Sequence, residues 1–180
     1  MKIALTGRPG IGKTTCVKRA VSLLSVPAVG FWTEEIRKNG RRWGFKVVRT
    51  DGKEALLASV EGRSPYKVGR YKVFVREFEA FLFPFLNSAL NPTSVAVIDE
   101  IGKMELLSRR FARFVEQLIL SEGPALVTIP QKDVHPLVAQ IRSSGRFKVI
   151  TVTLQNRDKL PEKIVNLLEG RDGEEGAEKP

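Results

Sequence analysis

The 180-residue sequence predicts an α/β protein with a doubly wound, mostly parallel sheet. Short apolar runs typical of buried parallel strands alternate with segments whose apolar residues recur at helical spacing. A glycine-rich phosphate-binding pattern follows the first strand, and two acidic residues end a later one. We therefore expect a P-loop NTPase fold, with an antiparallel β-hairpin inserted at about residues 43–60.

Periodicity and turn signals place the individual elements along the chain. Residues 3–5 open a strand, and apolar residues at helical spacing from Val17 to Leu24 then predict a helix. After it we expect strands at 28–33, 43–48, 55–60, 94–98, 125–129 and 148–154, and helices at 78–90, 111–119, 137–141 and 161–168.

The dipeptide Asp51-Gly52, the strongest short hairpin signal in the chain, separates the strands at 43–48 and 55–60. These two strands form the predicted antiparallel insertion. Residues 61–71 are expected to be a loop, because glycine and proline recur there. Pro84 is expected to kink the following helix, whose aromatic stripe indicates a side facing the core.

The segment Gly7–Thr14 fits the Walker A pattern GxxxxGK[ST] and lies between the first predicted strand and helix, as this motif requires. Its glycines let the backbone curl so that successive N–H groups point at phosphate oxygens. Lys13 can reach the β- and γ-phosphates, and the Thr14 hydroxyl can ligate Mg²⁺. The following helix adds an N-terminus that favours an anion. The chain is therefore expected to bind a nucleoside phosphate.

Two acidic residues, Asp99 and Glu100, directly follow an apolar predicted strand. Ligands of open α/β sheets bind outside the carboxyl ends of the strands, so both acids should lie near the phosphate loop. Asp99 is predicted to be the Walker B carboxylate, which holds Mg²⁺ through its water shell beside Thr14. Glu100 is predicted to polarise the attacking water as a general base, which favours hydrolysis. Thr128, near the end of another strand, is either a sensor of the γ-phosphate or an ordinary strand residue.

Composition limits the class of protein. A chain of 180 residues, 42% of them hydrophobic, suffices for one domain, which we expect over residues 1–169. No apolar run approaches the roughly 18 residues of a membrane span, and few residues precede the phosphate loop, so neither a membrane anchor nor a signal peptide is expected. Cys16 is the only cysteine, which favours a reducing cytoplasm, and it is expected to be a small buried residue.

The net charge of +10 is carried by the body of the chain. Residues 170–180 contribute −2 and are expected to be a disordered tail, which leaves +12 for residues 1–169. A basic body attracts polyanions, nucleotides foremost. The basic residues are scattered, however, without the aromatic residues of a single-strand binding platform, so nucleic acid is an alternative but less favoured partner.

Beyond the phosphate loop, the sequence contains GFWTEEIR with a following RRWGF, IDEIGKMEL, VTIPxxDVHPL and LQNRD. In this combination, residues 1–168 resemble the small P-loop nucleoside-triphosphatases first described from thermophiles, which have a human cancer-related relative. The resemblance implies Mg²⁺-dependent hydrolysis of several nucleoside triphosphates to diphosphates. It also implies nucleotide contacts in two segments, which comprise Gly7, Arg8, Pro9, Gly10, Ile11, Gly12, Lys13, Thr14 and the adjacent Thr15, and Ala96, Val97, Ile98, Asp99, Glu100, Ile101, Gly102 and Lys103.

Lys103 and two further positions, Asn156 and Arg157, are candidates for more specific roles in the same site. Lys103, four residues after Asp99, either stabilises phosphate charge in place of an external arginine finger or is a surface lysine that opens a helix. Asn156 and Arg157 follow the last strand, where P-loop folds commonly bind the base. Arg157 either stacks on the base without discriminating between bases or belongs to a helix-capping turn.

The sequence therefore predicts a cytoplasmic, Mg²⁺-dependent phosphohydrolase that converts ATP, GTP, CTP and UTP to the diphosphate and phosphate. Its predicted catalytic residues are Lys13, Glu100 and Lys103, and its predicted metal-binding residues are Thr14 and Asp99. One alternative is a nucleotide or nucleoside kinase, with an unidentified phosphoryl acceptor near residues 34–37. The other is an ATPase module that nucleic acid stimulates.

Overall fold

The computed structural model describes residues 1–171, so the predicted tail lies outside the described residues except for its first two positions. In chain order the elements are β1 (Lys2–Thr6), α1 (Lys13–Leu23), β2 (Ala28–Lys38), β3 (Arg41–Arg49), β4 (Glu54–Ser59), β5 (Lys67–Val68), β6 (Tyr71–Val73), α2 (Val75–Leu86), β7 (Val95–Ile98), a 3₁₀ turn (Glu105–Leu107), α3 (Arg109–Leu120), β8 (Ala125–Thr128), α4 (Pro136–Ser143), β9 (Lys148–Thr151) and α5 (Leu160–Leu168).

The strands form one sheet in the order β5-β6-β4-β3-β2-β7-β8-β1-β9. Strands β2, β7, β8, β1 and β9 are parallel to one another, whereas β3, β4, β6 and β5 continue the sheet from β2 by antiparallel pairing. The predicted parallel sheet with an antiparallel hairpin is confirmed. The antiparallel part is larger than predicted, since residues 61–71, predicted as a loop, contain β5 and the start of β6.

Strand β2 is longer than predicted, because it continues through charged residues as far as Lys38. Its first half pairs in parallel with β7 as far as Phe31, and its second half pairs only with β3. Ion pairs from Glu35 to Arg37 and Arg42, with N–O distances of 2.9 and 3.3 Å, accompany this pairing in place of apolar alternation. The β2–β3 ribbon therefore projects past the carboxyl end of β7.

Apolar clusters cover both faces of the sheet. On one face α2, α3 and α4 pack against the strands, and on the other face α1 and α5 do so. Phe31, Phe78 and Phe111 meet edge to face, with ring centroids 5.7–5.9 Å apart, which places Phe78 of the aromatic stripe of α2 in the core, whereas Phe81 and Phe85 are partly buried. Cys16 is also buried, and burial raises the pKa of its thiol to about 11, as befits a packing residue.

The predicted helices are present, with shifted ends. Helix α2 begins at Val75 and ends at Leu86, four residues before its predicted end, and Pro84 lies in its last turn. Within residues 1–171, no helix is both long and apolar enough to cross a bilayer.

Candidate active site

The phosphate loop lies between β1 and α1, at the carboxyl edge of the parallel strands. Gly10 and Gly12 adopt φ angles of +79° and +113°, which a residue with a side chain rarely adopts. Lys13 folds back over the loop, and its Nζ donates a hydrogen bond to the Gly7 carbonyl oxygen at 2.5 Å. The loop thus holds its lysine at the place where phosphate oxygens are expected.

Asp99 directly follows β7 and is 2% exposed. Its Oδ2 accepts a hydrogen bond from the Thr14 hydroxyl at 2.7 Å, and its Oδ1 accepts one from the Thr128 hydroxyl at 2.5 Å. Burial raises the pKa of Asp99, while these two hydrogen bonds and the nearby charge of Lys13 oppose the increase. The fold therefore brings Asp99 to the phosphate loop, and Thr128 orients its carboxylate.

Glu100 faces the same pocket as Lys13 and Thr14. This pocket has a volume of about 390 Å³, and its opposite wall consists of Thr33, Glu35 and Phe45 from the β2–β3 ribbon. Glu100 is partly buried, and both burial and the neighbouring Asp99 raise the pKa of its carboxyl group. The structure thus gathers Glu100, Lys13 and Thr14 around one open space, and the buried Asp99 contacts it through its hydrogen bond from Thr14.

The remaining residues of the segment 96–103 occupy three different environments. Ala96, Val97 and Ile98 are at most 1% exposed inside β7, so they position Asp99 and offer no surface to a ligand. Ile101 is also fully buried, and its N–H donates to the Thr128 carbonyl oxygen at 3.0 Å. Lys103 is exposed and lines a neighbouring cavity together with Glu100.

Arg157 lies against the phosphate loop and donates to the Ile11 carbonyl oxygen at 3.2 Å. It lines a pocket of about 240 Å³ together with Gly12, Thr15 and Arg19. Asn156, in contrast, stabilises its own turn: its Oδ1 accepts from the Thr153 N–H, and its amide donates to the Thr151 carbonyl oxygen, both at 2.8 Å. The exposed Arg8, Pro9 and Gly10 form the outer side of the loop.

Sequence reasoning missed Glu105, a carboxyl group that is 5% exposed beneath the site. Its Oε2 accepts a hydrogen bond from the Gly102 N–H at 3.2 Å. A Cβ added to Gly102 would lie 2.6 Å from Glu100 Oε1 and 3.0 Å from Glu105 Oε2, so a glycine at this position leaves room for both carboxyl groups. The only signal in the sequence is an acid that follows Met104 at the start of an apolar stretch.

Glu105→Gln is expected to stabilise the protein at alkaline pH. Burial first, and then the charge of Glu100, raise the folded-state pKa of Glu105 well above 4.5. Because a raised pKa favours the protonated acid, the stability it contributes is complete below the unfolded-state pKa and is lost as pH rises through the folded-state pKa. Glutamine stays neutral and can still accept from Gly102. We expect a gain of about 1 kcal/mol at pH 8.

Urea unfolding without nucleotide or Mg²⁺ measures this effect. The difference between Glu105→Gln and the wild type should shrink as the pH falls towards 5, because the raised pKa favours the protonated wild-type acid in the folded state. Glu116→Gln, at an exposed position of α3, is the matched control and should show no such trend. A stability difference that is equal at pH 5 and pH 8 would contradict the prediction.

Comparison with known proteins identifies the family to which the chain belongs. The sequence model of a family described as NTPase matches residues 2–165. The nucleoside-triphosphatase THEP1 of Thermotoga petrophila is 43% identical over 174 residues, which cover 97% of this chain and 96% of that protein.

Two solved structures have the same fold. The crystal structure of THEP1 from Aquifex aeolicus superposes with a TM-score of 0.87 at 43% identity and covers 94% of this chain and 99% of the other. The solution structure of a human cancer-related nucleoside triphosphatase gives a TM-score of 0.79 at 40% identity, with 94% and 97% coverage. This chain, with its phosphate loop, Asp99 and Glu100 at one edge of the sheet, therefore belongs to the NTPase family and is a nucleoside-triphosphatase.

Proposed function

We propose that the protein hydrolyses ATP, GTP, CTP and UTP to the diphosphate and phosphate in a Mg²⁺-dependent reaction in the cytoplasm. The observation that carries this proposal is the hydrogen bond from Thr14 to Asp99, with Glu100 and Lys13 in the same pocket. The phosphate loop, the residues that could hold a metal ion and the candidate base therefore lie next to one another.

The residues at this position fit Mg²⁺. The ion prefers oxygen ligands and keeps several waters, so one hydroxyl and one carboxylate together with substrate phosphates suffice. Thr14 and Asp99 supply this pair. Among the described residues, no group of three or more histidine, cysteine or acidic side chains could hold a metal ion on its own. An ion that is shared with the substrate does not need such a group. When bound, Mg²⁺ neutralises charge on the β- and γ-phosphates.

Glu100 and Lys13 have different roles in the reaction. Glu100 accepts a proton from a water molecule whose oxygen forms a bond to the γ-phosphorus. The bond from that phosphorus to the β–γ bridging oxygen breaks, and the nucleoside diphosphate leaves. Lys13 stabilises the charge on the transferring group. Lys103 is a further candidate charge stabiliser, because it lines the neighbouring cavity that Glu100 also lines.

Broad base specificity is part of the proposal. The pocket beside Arg157 presents a guanidinium plane and the chain around Gly12 and Thr15. A guanidinium stacks on any base because every base has a π-face, and stacking alone reads no hydrogen-bonding edge.

Arg157→Ala is expected to raise KM for all four triphosphates by a similar factor. A stacking contribution of about 1 kcal/mol corresponds to a roughly fivefold change. Arg157→Lys keeps the charge but loses the planar group, so it should resemble the alanine variant more than the wild type. Steady-state kinetics with ATP, GTP, CTP and UTP measure the effect. A loss confined to one nucleotide would contradict unselective stacking.

The proposed function is tested by free phosphate released from each of the four triphosphates, with Mg²⁺ and with excess chelator. Similar release from all four, abolished by the chelator and by Lys13→Ala, supports the proposal. Release that begins only after single-stranded RNA is added, and that falls steeply with salt, would show an ATPase gated by nucleic acid. No release under any of these conditions would overturn the hydrolase assignment.

A further inference from the structure

A second cavity, of about 320 Å³, adjoins the pocket over the phosphate loop. The two share Thr33, Phe45 and Glu100 in their linings, so Glu100 stands at their boundary. We call this second space the side cavity. Its volume lies at the lower end of the range of roughly 300–1,000 Å³ that is usual for small-molecule sites.

Most of the side cavity is apolar. Its apolar lining comes from the antiparallel half of the sheet and from the segments after β7 and β8, and consists of Phe45, Leu57, Val68, Met104, Pro130 and Val134. Its charged groups come from one short segment, which supplies Glu100, Lys103 and Glu105. The cavity thus has mostly apolar walls and three charged residues, one of which is the candidate base.

Hydrolysis does not require such a cavity, since a single water at Glu100 suffices. A space with apolar walls holds water poorly and favours an apolar occupant. Glu100, which lines both spaces, can accept a proton from a hydroxyl group as readily as from water. A nucleoside fits less well, because the polar edges of its base would meet the apolar walls and lose hydrogen bonds.

We infer that the side cavity binds a small alcohol with an apolar body and that the enzyme transfers the γ-phosphoryl group to its hydroxyl. This inference rests on the proposed function, because it uses the same nucleotide grip and the same base. The hydroxyl oxygen forms a bond to the γ-phosphorus, and the bond from that phosphorus to the bridging oxygen breaks. The hydroxyl proton passes to Glu100. The products are a phosphate monoester and a nucleoside diphosphate.

Benzyl alcohol and toluene form a matched pair of probes, because they share an aromatic ring and only the alcohol carries a nucleophile. With Mg²⁺ and ATP, phosphorus NMR is used to measure benzyl phosphate beside free phosphate. We expect benzyl phosphate to form with saturable dependence on benzyl alcohol. Toluene should lower the formation of benzyl phosphate at the same concentrations, since it occupies the side cavity without reacting.

Val134→Phe tests whether the alcohol binds in the side cavity, because the larger side chain fills this cavity from the segment after β8. We expect the ratio of benzyl phosphate to free phosphate to fall at least about tenfold, which corresponds to about 1.4 kcal/mol. Val26→Phe makes the same change at an exposed position away from both spaces and should leave this ratio at the wild-type value.

The outcomes separate this inference from the proposed function. Free phosphate released without any benzyl phosphate would overturn the acceptor inference and leave the hydrolase intact. If a nucleoside added in place of benzyl alcohol were phosphorylated and benzyl alcohol were not, the assignment of an apolar acceptor would be overturned. A wild-type ratio in Val134→Phe would show that the alcohol reacts from elsewhere. Absence of both products would overturn the proposed function itself.

Discussion

Replacing Glu100 with glutamine is expected to lower phosphate release by about 10²–10⁴-fold, the usual contribution of a general base. The amide has nearly the shape of the carboxylate but cannot accept the proton of the attacking water. Nucleotide affinity should change little, because the phosphates are held by the loop, Lys13 and Thr14. Single-turnover phosphate release measures the chemical step, and titration with a fluorescent nucleotide analogue measures binding.

Glu35→Gln is the matched control for this experiment. Glu35 lines the same pocket, but it pairs with Arg37 and Arg42 on the β2–β3 ribbon. Its substitution should change the rate by less than about threefold, as for a partly exposed ion pair. If Glu100→Gln retained more than a tenth of the wild-type rate with unchanged binding, the assignment of the base would be wrong.

Gly30→Ala is expected to destabilise the fold by more than about 3 kcal/mol, which places it among the largest single-residue effects. A Cβ on Gly30 would lie 1.7 Å from the Val97 carbonyl oxygen, in the backbone of the neighbouring strand. A peptide group within a sheet cannot move aside as the end of a side chain can. Gly30 also has a φ of +155°, a conformation that other residues rarely adopt. Denaturant unfolding monitored by circular dichroism measures the loss.

Gly52→Ala is the control that measures the cost of an unfavourable φ angle without a steric clash. Gly52 has a φ of +92°, and nothing lies within 4 Å of the position of an added Cβ. Its substitution should cost only about 1 kcal/mol, from strain alone. Equal losses in the two variants would show that β2 and β7 can separate enough to admit a methyl group.

The main catalytic candidates could be predicted because their positions follow from local sequence and one rule of the fold. A phosphate loop must join a strand to a helix, and residues that follow a parallel strand must lie at its carboxyl edge. Those two constraints bring Asp99 next to Thr14, although 85 residues separate them in the chain. Arg157 follows from the same rule applied to β9.

The second half of β2, the buried Glu105 and the side cavity could not be predicted in this way. The mostly charged residues 34–38 show no apolar alternation, and the ion pairs of Glu34 and Glu35 with Lys46 and Arg42 are visible only once β3 is in place. The sequence around Glu105 is typical of an exposed helix start, and Glu105 is buried only because other segments pack over it. The side cavity depends on Phe45, Leu57 and Val134 from three separate segments, and no local pattern records a space between them.

The double pairing of β2 makes the antiparallel half of the molecule inseparable from its catalytic half. One continuous strand supplies hydrogen bonds to β7 along its first part and to β3 along most of its length. Excision of residues 41–59 would leave the projecting part of β2 as an unpaired edge, prone to join another chain. The antiparallel and parallel halves of the sheet should accordingly unfold in one transition. A displacement of the β2–β3 ribbon over the nucleotide would be transmitted through β2 to β7, the strand that precedes Asp99.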